Sequence, residues 1–168
     1  MKSILFLMIT FSLFSGCNNG KEKIVDQSPA TSDSFLDETG TLLADPITYD
    51  VVVKNPNPED KWANEQLENF NLDKLVKIVF NSIEKGKITA FNYHTGEEMN
   101  LKEIKNLEKS DEFDRSKIGK VQFIEDWYFN EEKLTMSKKV KSIMFAYEVY
   151  DQFGKIRGYK AAFRIDLN

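Results

Sequence analysis

The sequence has few of the residues on which enzyme and metal sites most often depend. It contains one cysteine, Cys17, and one histidine, His94, in 168 residues. A single cysteine excludes a disulfide within the chain, and one cysteine with one histidine are too few for a zinc site of the usual kind. A cysteine nucleophile needs a histidine base beside it, whereas His94 falls next to Gly96 in a predicted surface turn. We therefore predict a protein with no enzymatic activity and no cofactor.

The balanced charge argues against a nucleic-acid-binding protein, and the lack of a glycine-rich loop argues against a phosphate-binding one. The formal net charge is −4, and the residues from Pro46 onwards include 20 basic and 21 acidic side chains. Such a balanced surface offers no electrostatic footprint for nucleic acid. The sequence contains no glycine-rich phosphate loop, and no small-molecule substrate is evident. Glu125 and Asp126 are adjacent on a predicted strand, so they point to opposite faces and cannot act as a catalytic pair.

Residues 1–16 have the layout of a lipoprotein signal peptide. Lys2 precedes an apolar run of about 11 residues, ILFLMITFSLF, which is followed by Ser15 and Gly16. The run is too short for a bilayer core, which needs roughly 20 residues, and the order is that of a secretory signal. The sequence Leu-Phe-Ser-Gly-Cys ending at Cys17 resembles a lipobox. We expect Cys17 to receive diacylglycerol and to become the first residue after cleavage; the alternative is an ordinary secretory signal with a chance cysteine.

Residues 17–45 are predicted to form a flexible tether. They are polar, poor in aromatic residues and without helical or strand periodicity, so they bury too little apolar surface to offset the entropy of ordering. Several acyl chains hold a lipoprotein durably on a membrane. Some Bacteroidota lipoproteins carry an acidic surface-export signal directly after the cysteine, and Asn18–Lys21 lacks one. This favours an outer-membrane protein that faces the periplasm, with exposure at the cell surface as the alternative.

Residues 46–168 are predicted to form one α+β domain, an antiparallel sheet meander packed by one or two amphipathic helices. The clearest helix runs from Leu72 to Ile83, with six apolar residues on one face, Asn71 as its cap and Gly86 after its end. Shorter helices are predicted at 58–69, capped by Asn57, and from Leu101. Strands are predicted at 47–53, 87–92, 121–129, 139–150 and 159–167, the last with Tyr159, Ala161, Phe163, Ile165 and Leu167 facing inward.

The aromatic residues of the predicted strand at 121–129 are the candidate binding site. Trp127, Tyr128 and Phe129 place large rings on both faces of this strand. Core packing explains most such rings, and the remainder are predicted to form a partner-binding patch, because tryptophan and tyrosine dominate interface energetics. We name Trp127 and Tyr128, together with Glu125, which shares a face with Trp127. Glu125 is either a charge at the sheet edge or an ion-pair partner in an interface.

Two segments resemble the GldN/PorN family of gliding-motility and type IX secretion proteins. The first, FNSIEKGKITAF at 80–91, is similar to a helix end followed by Gly-Lys-Ile-x-Ala-Tyr. The second, IEDWYFN at 124–130, is similar to Glu-x-Trp-Phe-Phe-Asp, and Met136 and the strand from Val140 follow it. The likeness covers about residues 70–150. The chain departs from the family by carrying its own lipobox, by being shorter and by lacking the arginine-rich opening helix.

The resemblance implies a non-enzymatic role in the cell envelope. Family members are periplasmic subunits of a large ring that assembles with a partner lipoprotein at the outer membrane. We therefore expect a lipid-anchored scaffold or accessory subunit of a gliding-motility or type IX secretion complex, with protein partners and an N-terminal membrane anchor. The alternative is a binding lipoprotein of another envelope complex, for nutrient uptake or a surface-exposed assembly.

Overall fold

The computed structural model describes residues 40–167. The predicted signal peptide (1–16), Cys17 and most of the predicted tether lie outside the described residues. The described part is an α+β fold, as predicted, with one six-stranded antiparallel sheet in the order β1-β4-β5-β6-β2-β3. Its elements are β1 (Thr41–Val52), α1 (Lys61–Leu67), α2 (Leu72–Glu84), β2 (Ala90–Phe91), β3 (Glu98–Met99), α3 (Leu101–Glu108), a 3-10 turn (Arg115–Lys117), β4 (Ile118–Asn130), β5 (Thr135–Tyr150) and β6 (Ile156–Asp166).

The predicted meander is the centre of this sheet. β4, β5 and β6 pair in sequence order through two hairpins. β1 adds to the outer side of β4, and the short β2–β3 hairpin adds to β6 at its C-terminal end. β4 and β5 are the two longest strands, with 13 and 16 residues, and they pair from Ile118 opposite Tyr147 to Asn130 opposite Thr135. The β4–β5 hairpin therefore extends from the core to the far end of the sheet.

The predicted α2 helix is confirmed, together with its two ends. The Asn71 side chain accepts a hydrogen bond from the Lys74 backbone N–H at 2.8 Å. After the helix, Gly86 adopts φ of +65°, the left-handed conformation that glycine accepts without steric cost. The buried face of the helix contributes Val76, Val79, Phe80 and Ile83. Each such side chain stabilises the fold by about 1.5–3 kcal/mol before entropy is counted.

One hydrophobic core joins α2 and α3 to the sheet. Phe80 meets Phe163 edge-to-face at 5.2 Å between ring centroids, and Phe113 meets Tyr147 in the same way at 5.2 Å. The predicted capping box of α3 is present, since Asn100 and Glu103 each bond the other's backbone N–H. β5 is buried on both faces, as its sequence predicts; the buried residues of its central stretch are Ser142, Ile143, Met144, Phe145, Ala146, Tyr147 and Glu148.

The first helix and the second strand differ from their predictions. α1 begins at Lys61 with Asp60 as its cap, because the Asn57 side chain is used in the preceding turn, where it accepts from the Glu59 backbone N–H at 3.3 Å. The predicted strand at 87–92 is reduced to Ala90–Phe91, the two residues that pair with β6 and β3. Propensity marks both segments, but the Asp60 cap sets the start of α1, and pairing with β6 and β3 sets the length of β2.

The first and last strands of the chain, β1 and β6, also differ from their predictions. β1 begins at Thr41, so the strand includes residues 41–45 of the predicted tether, because Thr41 and Leu42 pair with Phe129 and Tyr128 of the long β4 strand. In β6 the pairing register shifts between Ala161 and Phe163. A bulge of one residue reverses the faces of a strand, and the predicted inward set is therefore divided at that point.

Candidate partner-binding surface

Three carboxylates are buried on the two central strands. Glu125 and Asp126 on β4 are each 4% exposed, and Glu148 on β5 is 2% exposed. A buried carboxylate is costly unless it is paired and hydrogen-bonded. Each of the three receives a hydrogen bond from the aromatic residue two positions further along its own strand, and each forms an ion pair with a lysine. The same two-residue spacing thus supplies a hydrogen-bond donor to each of the three buried carboxylates, although Asp126 Oδ1 is buried without a hydrogen-bond partner.

The Glu125 cluster lies on the side of the sheet that carries Phe123 and the core. Trp127 Nε1 donates to the Glu125 carboxylate at 3.0 Å, and the Lys138 ammonium lies 3.9 Å from the same oxygen. Lys138 also lies 4.4 Å from the centroid of the Trp127 ring, within cation–π distance. Burial, followed by the hydrogen bond to Glu125 and its charge, raises the pKa of Tyr49 to about 12. The hydrogen bond to Glu125 and the contact with Lys138 hold the indole in place, while Trp127 remains only partly buried.

The Asp126 cluster lies on the opposite side of the sheet. The Tyr128 hydroxyl is 3.5 Å from the Asp126 carboxylate, and the Lys141 ammonium is 2.9 Å from it. Lys141 also reaches Asp45 of β1 at 3.3 Å. The hydrogen bond to Asp126 is the main reason that the pKa of Lys141 is raised. Tyr128 therefore lies at a surface separate from that of Trp127.

The three residues predicted as a binding site are thus divided between two faces. Glu125 and Trp127 share one cluster, whereas Tyr128 belongs to the other, because successive side chains of a strand alternate. Glu125 is also buried rather than placed at an exposed edge, so it orients Trp127 and contributes little contact surface of its own. The adjacent acids Glu125 and Asp126 point to opposite faces, as predicted.

The Glu148 cluster was not singled out by sequence reasoning. The Lys54 ammonium lies 2.8 Å from the Glu148 carboxylate and also donates to the Ser116 carbonyl at 3.0 Å. The Tyr150 hydroxyl donates to the same carboxylate, and this hydrogen bond is the main cause that raises the pKa of Tyr150 to about 12. The available signal was a single glutamate within a strand predicted to be buried on both faces. Its lysine partner, Lys54, is 94 residues away in the chain. No pattern of neighbouring residues in the sequence indicates this pairing.

Four exposed apolar side chains lie at the end of the sheet that carries the β4–β5 turn. Leu42 is 46% exposed, Leu43 58%, Leu134 78% and Met136 49%. The sheet register places Leu42 and Met136 at the same end of the sheet but on opposite faces, since Leu42 is opposite Tyr128 and Met136 is opposite Phe129. We call Leu42, Leu43, Leu134 and Met136 the apolar tip. Leu134 and Met136 lie beyond Trp127 along the hairpin, and Leu42 and Leu43 lie at the start of β1, which pairs with this part of β4.

The described residues include neither a metal cluster nor a membrane-spanning helix. Within 40–167 no three histidine, cysteine, aspartate or glutamate side chains are grouped to hold a metal ion. No helix in this part of the chain is long and apolar enough to cross a bilayer. His94 lies exposed in its predicted turn, with its ring 5.3 Å from that of Tyr93.

Comparison with known proteins finds no family model that matches the chain and no curated protein that matches it.

Proposed function

We propose that this chain is an outer-membrane lipoprotein, anchored through Cys17 and facing the periplasm, that acts without enzymatic activity as a scaffold or accessory subunit of a gliding-motility or type IX secretion complex. The lipobox-like residues before Cys17 support the anchor. The similarity of segments 80–91 and 124–130 to the GldN/PorN family supports the type of complex. The proposed partner is a protein, and the only non-protein group proposed is the lipid on Cys17.

The observation that carries the binding role is the fixed position of Trp127. A partly exposed indole that is held by Glu125 and covered on one side by Lys138 loses little conformational freedom when a partner covers it. Tryptophan is the residue type most enriched among interface residues that dominate affinity. We therefore propose that the partner contacts the Trp127 side of the hairpin, with Glu125 as the residue that positions the indole.

The anchor is tested first, in the producing bacterium. Cells are grown with an alkyne fatty acid, and the protein is recovered and analysed by mass spectrometry. We expect acyl chains on Cys17 in the wild type and an unmodified, aqueous-phase protein for Cys17→Ser. A wild-type protein with a free thiol at Cys17 would contradict the proposed anchor.

The partner surface is tested by affinity purification from detergent-solubilised outer membranes. Trp127→Ala is compared with Trp62→Ala, which removes the other tryptophan, 69% exposed on α1. We expect Trp127→Ala to lose the partner at least about tenfold, a typical effect of an interface anchor, and Trp62→Ala to retain it. Both variants must remain folded at the temperature of the purification, which thermal unfolding checks; Trp127→Ala is expected to melt below the wild type, because buried Glu125 loses a hydrogen bond. Retention by Trp127→Ala would contradict the proposal, and loss by Trp62→Ala alone would move the site to α1.

The identity of the purified partner tests the type of complex. Type IX secretion ring components support the proposed complex. A TonB-dependent receptor as the main partner would replace it with a nutrient-uptake assembly. Protease treatment of intact cells tests the orientation, because a periplasmic domain is protected whereas a surface-exposed one is cleaved.

A further inference from the structure

The apolar tip exposes leucine where neither burial nor backbone geometry favours it. Leu134 is 78% exposed and has φ of +51°, the only positive φ among the described residues other than glycine. The left-handed region disfavours a leucine side chain and is better suited to glycine or asparagine. Strained positions of this kind persist mainly at functional sites. The position of Leu134 therefore points to a contact that the isolated domain does not make.

The charges beside the apolar tip are mixed. Glu131, Glu132 and Lys133 form the turn before Leu134, and Lys138 and Lys139 follow it on β5. These three basic and two acidic side chains nearly cancel. Binding by the tip is therefore driven by apolar burial more than by attraction to phosphate, and we expect it to depend weakly on salt.

The chain that leads back to Cys17 leaves the domain beside the apolar tip. Gly40 lies so close to β4 that a methyl group on it would be 2.5 Å from the Phe129 carbonyl carbon and oxygen. Cys17 precedes Gly40 by 23 residues. The tether predicted from the sequence would have a root-mean-square span of about 27 Å over this length. The tip is therefore the part of the domain that a lipid on Cys17 would hold nearest to the bilayer.

The turn between β5 and β6 lies at the other end of the β5 strand, much farther from Gly40 than the apolar tip is. β5 has 16 residues between its two hairpin turns, which corresponds to about 50 Å of extended strand. Phe153, in the turn beyond β5, is 83% exposed and thus resembles Leu134 in exposure and apolarity. Leu134 and Phe153 form a matched pair of reporters at the two ends of one strand.

We propose that the apolar tip inserts into the interfacial layer of the phospholipid bilayer that holds the acyl chains of Cys17. This inference rests on the proposed lipid anchor. Contact at the tip orients the domain with the β4–β5 turn at the membrane and the β5–β6 turn, which carries Phe153, away from it. Trp127 is two residues further from the turn than Phe129, the residue opposite Met136. In this orientation Trp127 lies just above the lipid surface, where it can contact the water-exposed surface of a membrane-embedded partner.

The proposal is tested with the full lipoprotein in vesicles of phosphatidylethanolamine and phosphatidylglycerol. Mass spectrometry first establishes that Cys17 is acylated; failure at this step counts against the proposed function and not against the tip. Because the sulfur of an acylated Cys17 is blocked, Leu134→Cys and Phe153→Cys each offer one thiol for a bimane label. Lipids that carry a shallow nitroxide are then added as quenchers.

We expect shallow nitroxide lipids to quench the Leu134→Cys label at least about twofold more than the Phe153→Cys label, as for a segment that lies in the interface. Raising the salt concentration should change this ratio little. Equal quenching at the two positions in an acylated protein would overturn the proposal. Protection of the tip label only in native membranes, with no quenching in vesicles, would also overturn it and assign the tip to a protein partner.

A second pair of variants separates a lost contact from a lost fold. The label is placed at Met136→Cys, with Leu134 either retained or changed to Asn. Asparagine tolerates the positive φ of this position, so we expect the thermal midpoint to be kept or raised. Quenching at position 136 should fall when Leu134 is replaced. Unchanged quenching would show that Leu134 makes no contact with lipid.

Discussion

The Tyr150 hydroxyl donates a hydrogen bond to the buried carboxylate of Glu148, two residues before it on β5. The same spacing joins Trp127 to Glu125 and Tyr128 to Asp126 on β4. In a strand, residues two apart share a face, so each aromatic residue shields the acid that it bonds. Each buried acid and its aromatic donor therefore lie on one strand, whereas the lysine that pairs with the acid comes from a different segment of the chain.

Replacing Lys54 by Met should destabilise the protein, because it leaves the Glu148 carboxylate buried with its ion-pair partner removed. We expect a loss of about 2 kcal/mol in the free energy of unfolding, measured by urea denaturation. Lys160→Met is the control, since the Lys160–Glu112 pair is shorter, at 2.6 Å, but more than half exposed on both sides. The control should lose clearly less stability than Lys54→Met, because exposed ion pairs contribute little. Equal losses would show that burial of Glu148 contributes nothing.

Replacing Gly119 by Ala should be destabilising for reasons of space. Gly119 lies at a register shift of β4, and a methyl group there would be 3.0 Å from Glu148 Oε1 and 3.1 Å from a ring carbon of Tyr159. We expect a loss of about 1–3 kcal/mol, as for an overpacked core. Gly158→Ala is the matched control, because a methyl group at Gly158 meets no heavy atom of residues 40–167 within 4 Å. A drop in thermal midpoint for Gly158→Ala as large as for Gly119→Ala would refute this explanation.

Stability should fall between about pH 10 and pH 12. The pKa of Tyr150 is raised to about 12, mainly by its hydrogen bond to Glu148, and that of Tyr49 to about 12, mainly by burial. An unfolded tyrosine titrates near 10, so in this window the folded state keeps a proton that the unfolded state releases. The stabilisation is therefore complete below about pH 10 and is lost as the pH rises through the folded pKa.

The pH effect is checked with Tyr150→Phe. We expect the urea midpoint of this variant to decline less steeply between about pH 10 and pH 12 than that of the wild type, and tyrosinate absorbance to show one fewer late-titrating phenol. Identical slopes for the two proteins would mean that the Tyr150–Glu148 hydrogen bond does not shift the titration.

Trp127 should report its own environment once Trp62 is removed. In Trp62→Phe the emission arises from the partly buried Trp127, and in Trp127→Phe it arises from Trp62, which is 69% exposed. We expect the first protein to emit at shorter wavelength and to resist acrylamide quenching. Adding Glu125→Ala to it should shift the emission to the red, because the hydrogen bond that holds the indole is lost. An unchanged spectrum would argue against Glu125 as the positioning residue.

Features that depend on neighbouring residues were predictable from the sequence. The six apolar residues of α2, its Asn71 cap, the capping box at Asn100 and the left-handed Gly86 involve contacts a few positions apart, and the chain encodes them locally. The same holds for the opposite directions of Trp127 and Tyr128, which follow from strand alternation. The separation of the predicted binding residues into two surfaces was therefore already implied by their order.

Only the tertiary structure decided where alternation breaks and which distant groups meet. The register shift before Phe163 divides the last strand between two faces, the pairing with β4 draws residues 41–45 into β1, and Lys54 reaches Glu148 across 94 residues. The sequence by itself determined the fold class, the main helix and the local caps. Bulges, strand ends and ion pairs were set by packing between strands, because backbone hydrogen bonds and buried charges are satisfied by partners far away in the chain.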